Sequence, residues 1–266
     1  MSESNCYRRG AGPPLLLLHS LGQRWQMWGP VLDELSEHHE VVAVDLPRFG
    51  RAPRARVVTE ESIRLYGVRS LERLFAQLDL DRPHVAGLGL GGMLAAIGAC
   101  RGIVASATAF SPTGFWSPLQ AQYVAAHLRL FRWCCRLALA TTPPLAYRRP
   151  IRTALLSRLC HHPHKLSLDE GLDHIAGMRD APAFDEAIRS TRQFVWRTAR
   201  APTVPLTVAR AQYDRMLNPR QARRAAQRLP GAHLVALPDC GHLAITDDPS
   251  LVVRTILSTI ARAAEC

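Results

Sequence analysis

Lysine is almost absent from this chain. Lys165 is the only one, so the 33 basic side chains set against 22 acidic ones are otherwise all arginine. Long apolar runs are lacking too: residues 13–18 and 137–140 fall far short of the roughly 20 residues that a membrane-crossing helix needs. That excludes a helical membrane span. The seven cysteines, at positions 6, 100, 134, 135, 160, 240 and 266, show no CxxC spacing and leave an odd one over, which reads as a reduced, cytoplasmic chain. No internal repeat or low-complexity linker is present. A basic motif interleaved with aromatics is also missing, so no nucleic-acid partner is expected.

What remains is 266 residues with 47% apolar side chains, enough for one large α/β domain whose core needs neither disulfide nor metal. The net charge of +11 is uneven: residues 115–200 carry 13 basic and 6 acidic groups, against 12 and 11 in residues 1–114 and 8 and 5 in residues 201–266. Most of the excess lies in the middle. Solvated helix faces account for such a distribution. So does a segment that faces an anionic ligand or an acidic protein, because arginine holds carboxylate and phosphate bidentately.

Residues 14–18 and 41–45 are short apolar runs ending in turn-forming residues, the pattern of buried parallel strands. Between them, residues 25–37 bring Trp28, Val31, Leu32 and Leu35 to one helical face. The helical period recurs in residues 60–78, a strand resumes at 84–86, a small-residue helix covers 90–100, and a strand covers 103–110. From 113 to 200 the pattern is helical or irregular. Alternation then returns: strand 204–209, helix 219–228, strand 233–237, helix 249–264. This order predicts an α/β fold, a mostly parallel sheet with helices on both faces. Residues 1–13 form an N-terminal tail, 14–112 and 201–266 the core, and 113–200 a helical cap over the carboxyl edge of the strands.

Residues 84–95 combine a strand, a glycine turn and a helix. Gly87-Leu-Gly-Leu-Gly91 resembles the nucleophile elbow G-x-S-x-G of the α/β-hydrolase fold superfamily, with Gly89 where the serine belongs. Other segments fit the same family. His19-Ser-Leu-Gly22 resembles its HG-x-G oxyanion loop, and Asp45-Leu-Pro-Arg-Phe-Gly50 its D-x-x-G-x-G turn. Asp214 stands where the triad acid is carried, and Gly241-His242 resembles the turn that supplies the triad histidine. The order of nucleophile, acid and base is also the family's. The resemblance covers residues 14–112 and 201–263 and implies an α/β-hydrolase fold, its sheet shortened to about six strands because few residues precede Leu15. A dinucleotide cradle would follow the first strand and carry an acidic residue about 20 positions on, which residues 87–92 do not satisfy. No cofactor is expected.

The resemblance implies oxyanion N–H donors at Leu21 and Leu90, and a His242 imidazole oriented by Asp214 as general base. Glycine offers no nucleophile, so ordinary serine-esterase turnover is not expected. The expected activity is non-covalent acid-base chemistry on a small carbonyl- or ester-type substrate: a lyase, isomerase, cyclase or water-mediated hydrolase. Two alternatives stand beside it. One is a silent pseudo-hydrolase that only binds a ligand or partner. The other is a weak esterase with a displaced nucleophile at Ser20 or Ser111, although both serines suit turns.

The cluster His161-His-Pro-His164 reads as a solvated loop, and no metal is expected there. Cys240 is expected to pack as a small apolar side chain. Phe115, Trp116, Tyr123, Phe131 and Trp133 are expected to seat the cap on the sheet, with Phe115 and Trp116 alternatively walling a ligand pocket. Arg129, Arg132 and Arg136 recur at helical spacing. They read as a solvent-facing stripe, or as a contact for an anionic substrate or one presented on an acidic acyl carrier protein.

Overall fold

The computed structural model describes residues 6–47, 49–50 and 68–265. Seven strands form one sheet in the order β1-β3-β2-β4-β5-β6-β7. They are β1 Cys6–Arg9, β2 Pro14–Leu18, β3 Glu40–Val44, β4 His84–Leu88, β5 Ala107–Phe110, β6 Leu206–Ala211 and β7 His233–Leu237. All pair in parallel except β1, which runs antiparallel to β3 with Cys6 opposite Val44 and Arg9 opposite Val41. The central strands read as unbroken apolar runs because helices cover both faces of the sheet.

The sheet therefore has seven strands where about six were expected, and β1 lies in the segment read as a tail. Its sequence, CYRR, has no apolar alternation to announce a strand. It sits on the sheet edge, where Arg8 pairs with Glu40 at 2.8 Å and Arg9 with Asp33 at 3.0 Å. Charges on an exposed edge discourage pairing with another chain.

Between β2 and β3 the chain makes a 3-10 turn, Trp25–Trp28, before helix α1, Gly29–Ser36. One continuous helix was expected there, but Pro30 has no N–H for the preceding turn and restarts the helix. Helix α2 is described over Val68–Leu78; residues 60–67 of the expected helix lie outside the described residues. Helix α3, Leu90–Arg101, ends at the left-handed Gly102, which delays β5 to Ala107.

Between β5 and β6 lie four helices: α4 Pro118–Ala140, α5 Arg149–Leu156, α6 Leu168–Arg179 and α7 Phe184–Gln193. Two of them start at capping boxes, Ser117 with Gln120 and Ser167 with Glu170. After β6 follow α8 Arg220–Arg228, the short α9 Ala244–Asp247, and α10 Pro249–Ala264. Among the described residues no helix is long and apolar enough to cross a membrane.

Candidate functional site

At the carboxyl end of β4 the chain turns into α3 through Gly89, whose φ of +56° lies in the left-handed region. Gly89 N–H donates to Phe110 O at 2.9 Å, and its carbonyl accepts from Met93 N and Thr113 N. The flanking glycines answer to close backbone approach. A Cβ on Gly87 would stand 2.7 Å from Gly92 N, and one on Gly91 would stand 2.6 Å from the Leu18 carbonyl carbon. The turn is sharp and closely packed, and its central residue carries no hydroxyl.

The loop after β2 is fixed by His19. Its Nδ1 donates to Ser20 O at 2.7 Å, which leaves Nε2 to accept from Leu46 N at 2.8 Å. Burial lowers the His19 pKa, in keeping with a neutral ring that both donates and accepts. Gln23 N closes the turn onto Ser20 O at 3.0 Å, and Gly22 has φ +75°, as the third residue of a type II turn requires. Leu21 occupies the position before it. The Ser20 hydroxyl projects to the elbow, where it overlaps the place a Cβ on Gly89 would take.

His242 and Asp214 meet across the ends of β6 and β7. His242 Nδ1 lies 2.9 Å from Asp214 Oδ2, with 8% and 2% of the two side chains exposed. The other carboxylate oxygen accepts from Met216 N and Leu217 N, both at 2.8 Å. Burial works to raise the Asp214 pKa. It is outweighed by the charge and hydrogen bond of His242, the Leu217 N–H and the Ser111 hydroxyl, which hold the carboxyl below its ordinary value. With Nδ1–H directed at Asp214, the basic nitrogen is Nε2, and it lies 3.5 Å from the Cβ position of Gly89. Ser111, one of the two serines expected as a displaced nucleophile, lies beside the acid, where its hydroxyl helps to hold the Asp214 pKa down.

Asp247 anchors the turn that carries His242. Its carboxylate accepts from Gly241 N at 2.7 Å, His161 N at 2.8 Å and His162 N at 2.7 Å, while Leu243 N donates to Leu159 O. Thus residues 159–162 of the helical insertion are laced to the His242 turn. Nothing in the sequence pairs these two segments, so no local signal marks Asp247. The same fold brings Asp239 to 3.3 Å from His161 Nε2 and 2.8 Å from His162 Nε2, supplying a carboxylate partner that the local sequence does not show.

In front of the dyad lies a cavity enclosing about 630 Å³ of empty space, part of it open to solvent. Ser20, Leu21, Leu90 and His242 form its floor, and α4, α6 and α7 roof it with residues such as Val124, Leu128, Met178 and Ile188. Three side chains on its wall bear buried polar atoms with no partner among the described residues: Gln23 Nε2, Thr113 Oγ1 and Trp116 Nε1. Gln23 is held from above by His174 Nδ1 at 2.5 Å from its Oε1.

Other expectations divide. Trp116 is both buried packing and pocket wall, and Phe115 stacks on Trp196 with ring centroids 5.5 Å apart. Phe131 is buried, but Tyr123 and Trp133 face outward at 58% and 60% exposure and do not seat the insertion on the sheet. Helical spacing alone did not reveal which face of α4 is inward. Nor is the arginine stripe uniformly solvent-facing: Arg132 lies over the Phe184 ring, donates to Ala181 O and shares Asp185 with Arg129. Cys240 is fully buried, and burial pushes its thiol pKa up to about 12.

Known proteins resemble this chain in the same terms. It is 35% identical over 99 residues to a 2-hydroxy-6-oxo-2,4-heptadienoate hydrolase of Pseudomonas putida, covering 35% of this chain and 34% of that one. It is 34% identical over 88 residues to a pimeloyl-[acyl-carrier protein] methyl ester esterase of Aeromonas hydrophila, covering 33% and 32%. The aligned segments thus span about a third of the length of these curated relatives. An α/β-hydrolase fold protein from Burkholderia ambifaria superposes with a TM-score of 0.69 at 23% identity, over 95% of this chain and 93% of that one. The alpha/beta hydrolase family matches residues 15–255, and to that family the chain belongs.

Proposed function

We propose that the protein is an enzyme in which His242, held by Asp214, acts as general base on a small carbonyl- or ester-type substrate bound under the helical insertion. The observation that carries this reading is the dyad itself: a 2.9 Å hydrogen bond that directs Nε2 at the space in front of Gly89. A histidine fixed in one tautomer by a buried carboxylate is poised to take a proton from a group in that space. No acyl intermediate forms on the elbow, since Gly89 has no side chain.

The substrate class follows from the cavity. Its apolar walls suit a hydrocarbon arm, and the unpartnered donors of Gln23 and Trp116 suit an acceptor such as a carbonyl or carboxylate. The N–H groups of Leu21, on the oxyanion-type loop, and of Leu90, at the first position of α3, are the donors for a developing oxyanion. The relatives named above, a hydrolase of an oxo-dienoate and an esterase of a carrier-bound methyl ester, support a carbonyl centre. The second of them, with Arg136 and its neighbours on α4, also supports presentation of the substrate on an acidic carrier protein.

The test is turnover of a panel of p-nitrophenyl esters, acyl thioesters and vinylogous diketones by the protein and its His242→Ala variant. The reading requires a loss of roughly 10²- to 10⁴-fold in kcat with little change in melting temperature. Equal turnover by the two proteins would assign the site to ligand binding alone.

A further inference from the structure

The elbow and the oxyanion-type loop have exchanged their residues. The family pattern places glycine after the loop histidine and serine at the elbow, whereas this chain has Ser20 and Gly89. The exchange is also spatial. The Ser20 Oγ overlaps the place that a Cβ on Gly89 would take, and His242 Nε2 lies 3.5 Å from that Cβ position. One hydroxyl has been withdrawn from that site and another has entered it from the opposite wall.

We infer that Ser20 is the nucleophile of this site and forms an acyl-enzyme with carboxylic esters or thioesters whose apolar acyl arm lies in the cavity. The inference rests on the general-base reading above. Three observations support it. Ser20 lines the cavity floor beside His242. Its Oγ makes no hydrogen bond among the described residues, so the hydroxyl is not committed to the turn. Its backbone is held on both sides, since its carbonyl accepts from His19 Nδ1 and Gln23 N while His19 is pinned by Leu46 N. The side chain is therefore left a single torsion with which to meet Nε2, and hydrogen bonds of this kind commonly tighten only when substrate is bound.

The chemistry closes with water as the sole co-reactant. As the Ser20 Oγ–carbon bond forms, its proton passes to His242 Nε2 and the carbonyl electron pair moves to oxygen, which the Leu21 and Leu90 N–H groups receive. The tetrahedral adduct collapses with cleavage of the carbon–oxygen or carbon–sulfur bond, and the departing alcohol or thiol takes the proton from Nε2. Water, deprotonated by His242, then attacks the Ser20 ester. Release of the carboxylic acid returns the proton to Oγ. Leu21 now follows the nucleophile in sequence, the relation Leu90 has to the elbow, so the two donors exchange places along with the serine.

An alkyl fluorophosphonate tests this on the unmodified protein, with the adduct located by peptide mass spectrometry. The expected result is one phosphonyl group on Ser20, lost in Ser20→Ala, together with at least a 10²-fold fall in p-nitrophenyl butyrate turnover by that variant. Ser20→Cys, which keeps the side-chain size, should exchange phosphonate labelling for iodoacetamide labelling at residue 20; this readout remains available if Ser20→Ala fails to fold. An inert wild-type protein, or an adduct elsewhere, overturns the inference. If His242→Ala abolishes turnover while Ser20→Ala preserves it, the base stands and the nucleophile falls. If neither change matters, both readings fall together.

Discussion

The Ser20 hydroxyl lies so close to Gly89 that a Cβ added there would overlap it. Restoring serine at the elbow alone is therefore predicted to turn the Ser20 hydroxyl aside and to cost stability. Gly89→Ser places a side chain at φ +56°, a strain of about 1–3 kcal/mol, and drives it into Ser20. The paired exchange Ser20→Gly with Gly89→Ser removes the overlap. It should melt above the single variant and take a fluorophosphonate adduct at residue 89. If the single and double variants melt together, the two positions do not compete for space.

Asp247 is predicted to position His242 without touching substrate. It accepts three backbone N–H groups that join the Gly241–His242 turn to residues 161 and 162. Asp247→Ala leaves those donors unpaired, at roughly 1–3 kcal/mol each where water cannot replace the carboxylate. Turnover should show kcat falling about 10-fold or more while KM for the same ester holds, with partial recovery in Asp247→Asn. A unchanged kcat in a variant with a lowered melting temperature would reduce Asp247 to a purely structural role.

Acid should loosen the roof of the cavity through His174. Burial lowers its pKa to about 4, whereas an unfolded histidine titrates near the usual 6.5. The folded state thus binds fewer protons between those values, and its stability is complete above about pH 6.5 and declines as pH falls toward 4. The span corresponds to a loss on the order of 3 kcal/mol. Melting curves from pH 7 to pH 4 should show this decline, and His174→Gln should flatten it. A parallel decline in the variant would place the acid sensitivity elsewhere.

Much of this site is legible in the sequence because it rests on backbone constraints that leave residue signatures. Gly87 and Gly91 are written in by close approach, and Gly22 by a positive φ. Asp214 and His242 stand on turns at strand ends, whose order along the chain follows from a parallel sheet. What stayed hidden depends on distant segments meeting. Strand β1 is four residues of mixed polarity whose partner among the described residues is β3. The contacts of Asp239 and Asp247 with residues 161 and 162 cross about eighty positions. Helix α4 offers aromatics on two faces, and only its packing on α6 and α7 decides that Phe131 turns inward while Trp133 turns out.

The length of substrate that the site accepts is predicted to depend on Val124. This residue lies on the buried face of α4 and lines the cavity with Leu128 and Ile188, on the roof opposite the His242 side. Val124→Phe places a ring in that volume without altering the dyad, the elbow or the loop of Ser20. Each methylene accommodated in an apolar pocket is worth about 1–3 kcal/mol in discrimination. A series of p-nitrophenyl esters from acetate to octanoate should therefore shift its optimum to shorter chains, with kcat/KM for the longest esters falling at least about 10-fold and that for acetate held near the parent value. The discriminating quantity is the ratio between long and short esters, since general loss of folded protein lowers both alike. If that ratio does not change, the acyl arm does not run beneath α4, and the cavity under the helical insertion is not where the substrate binds.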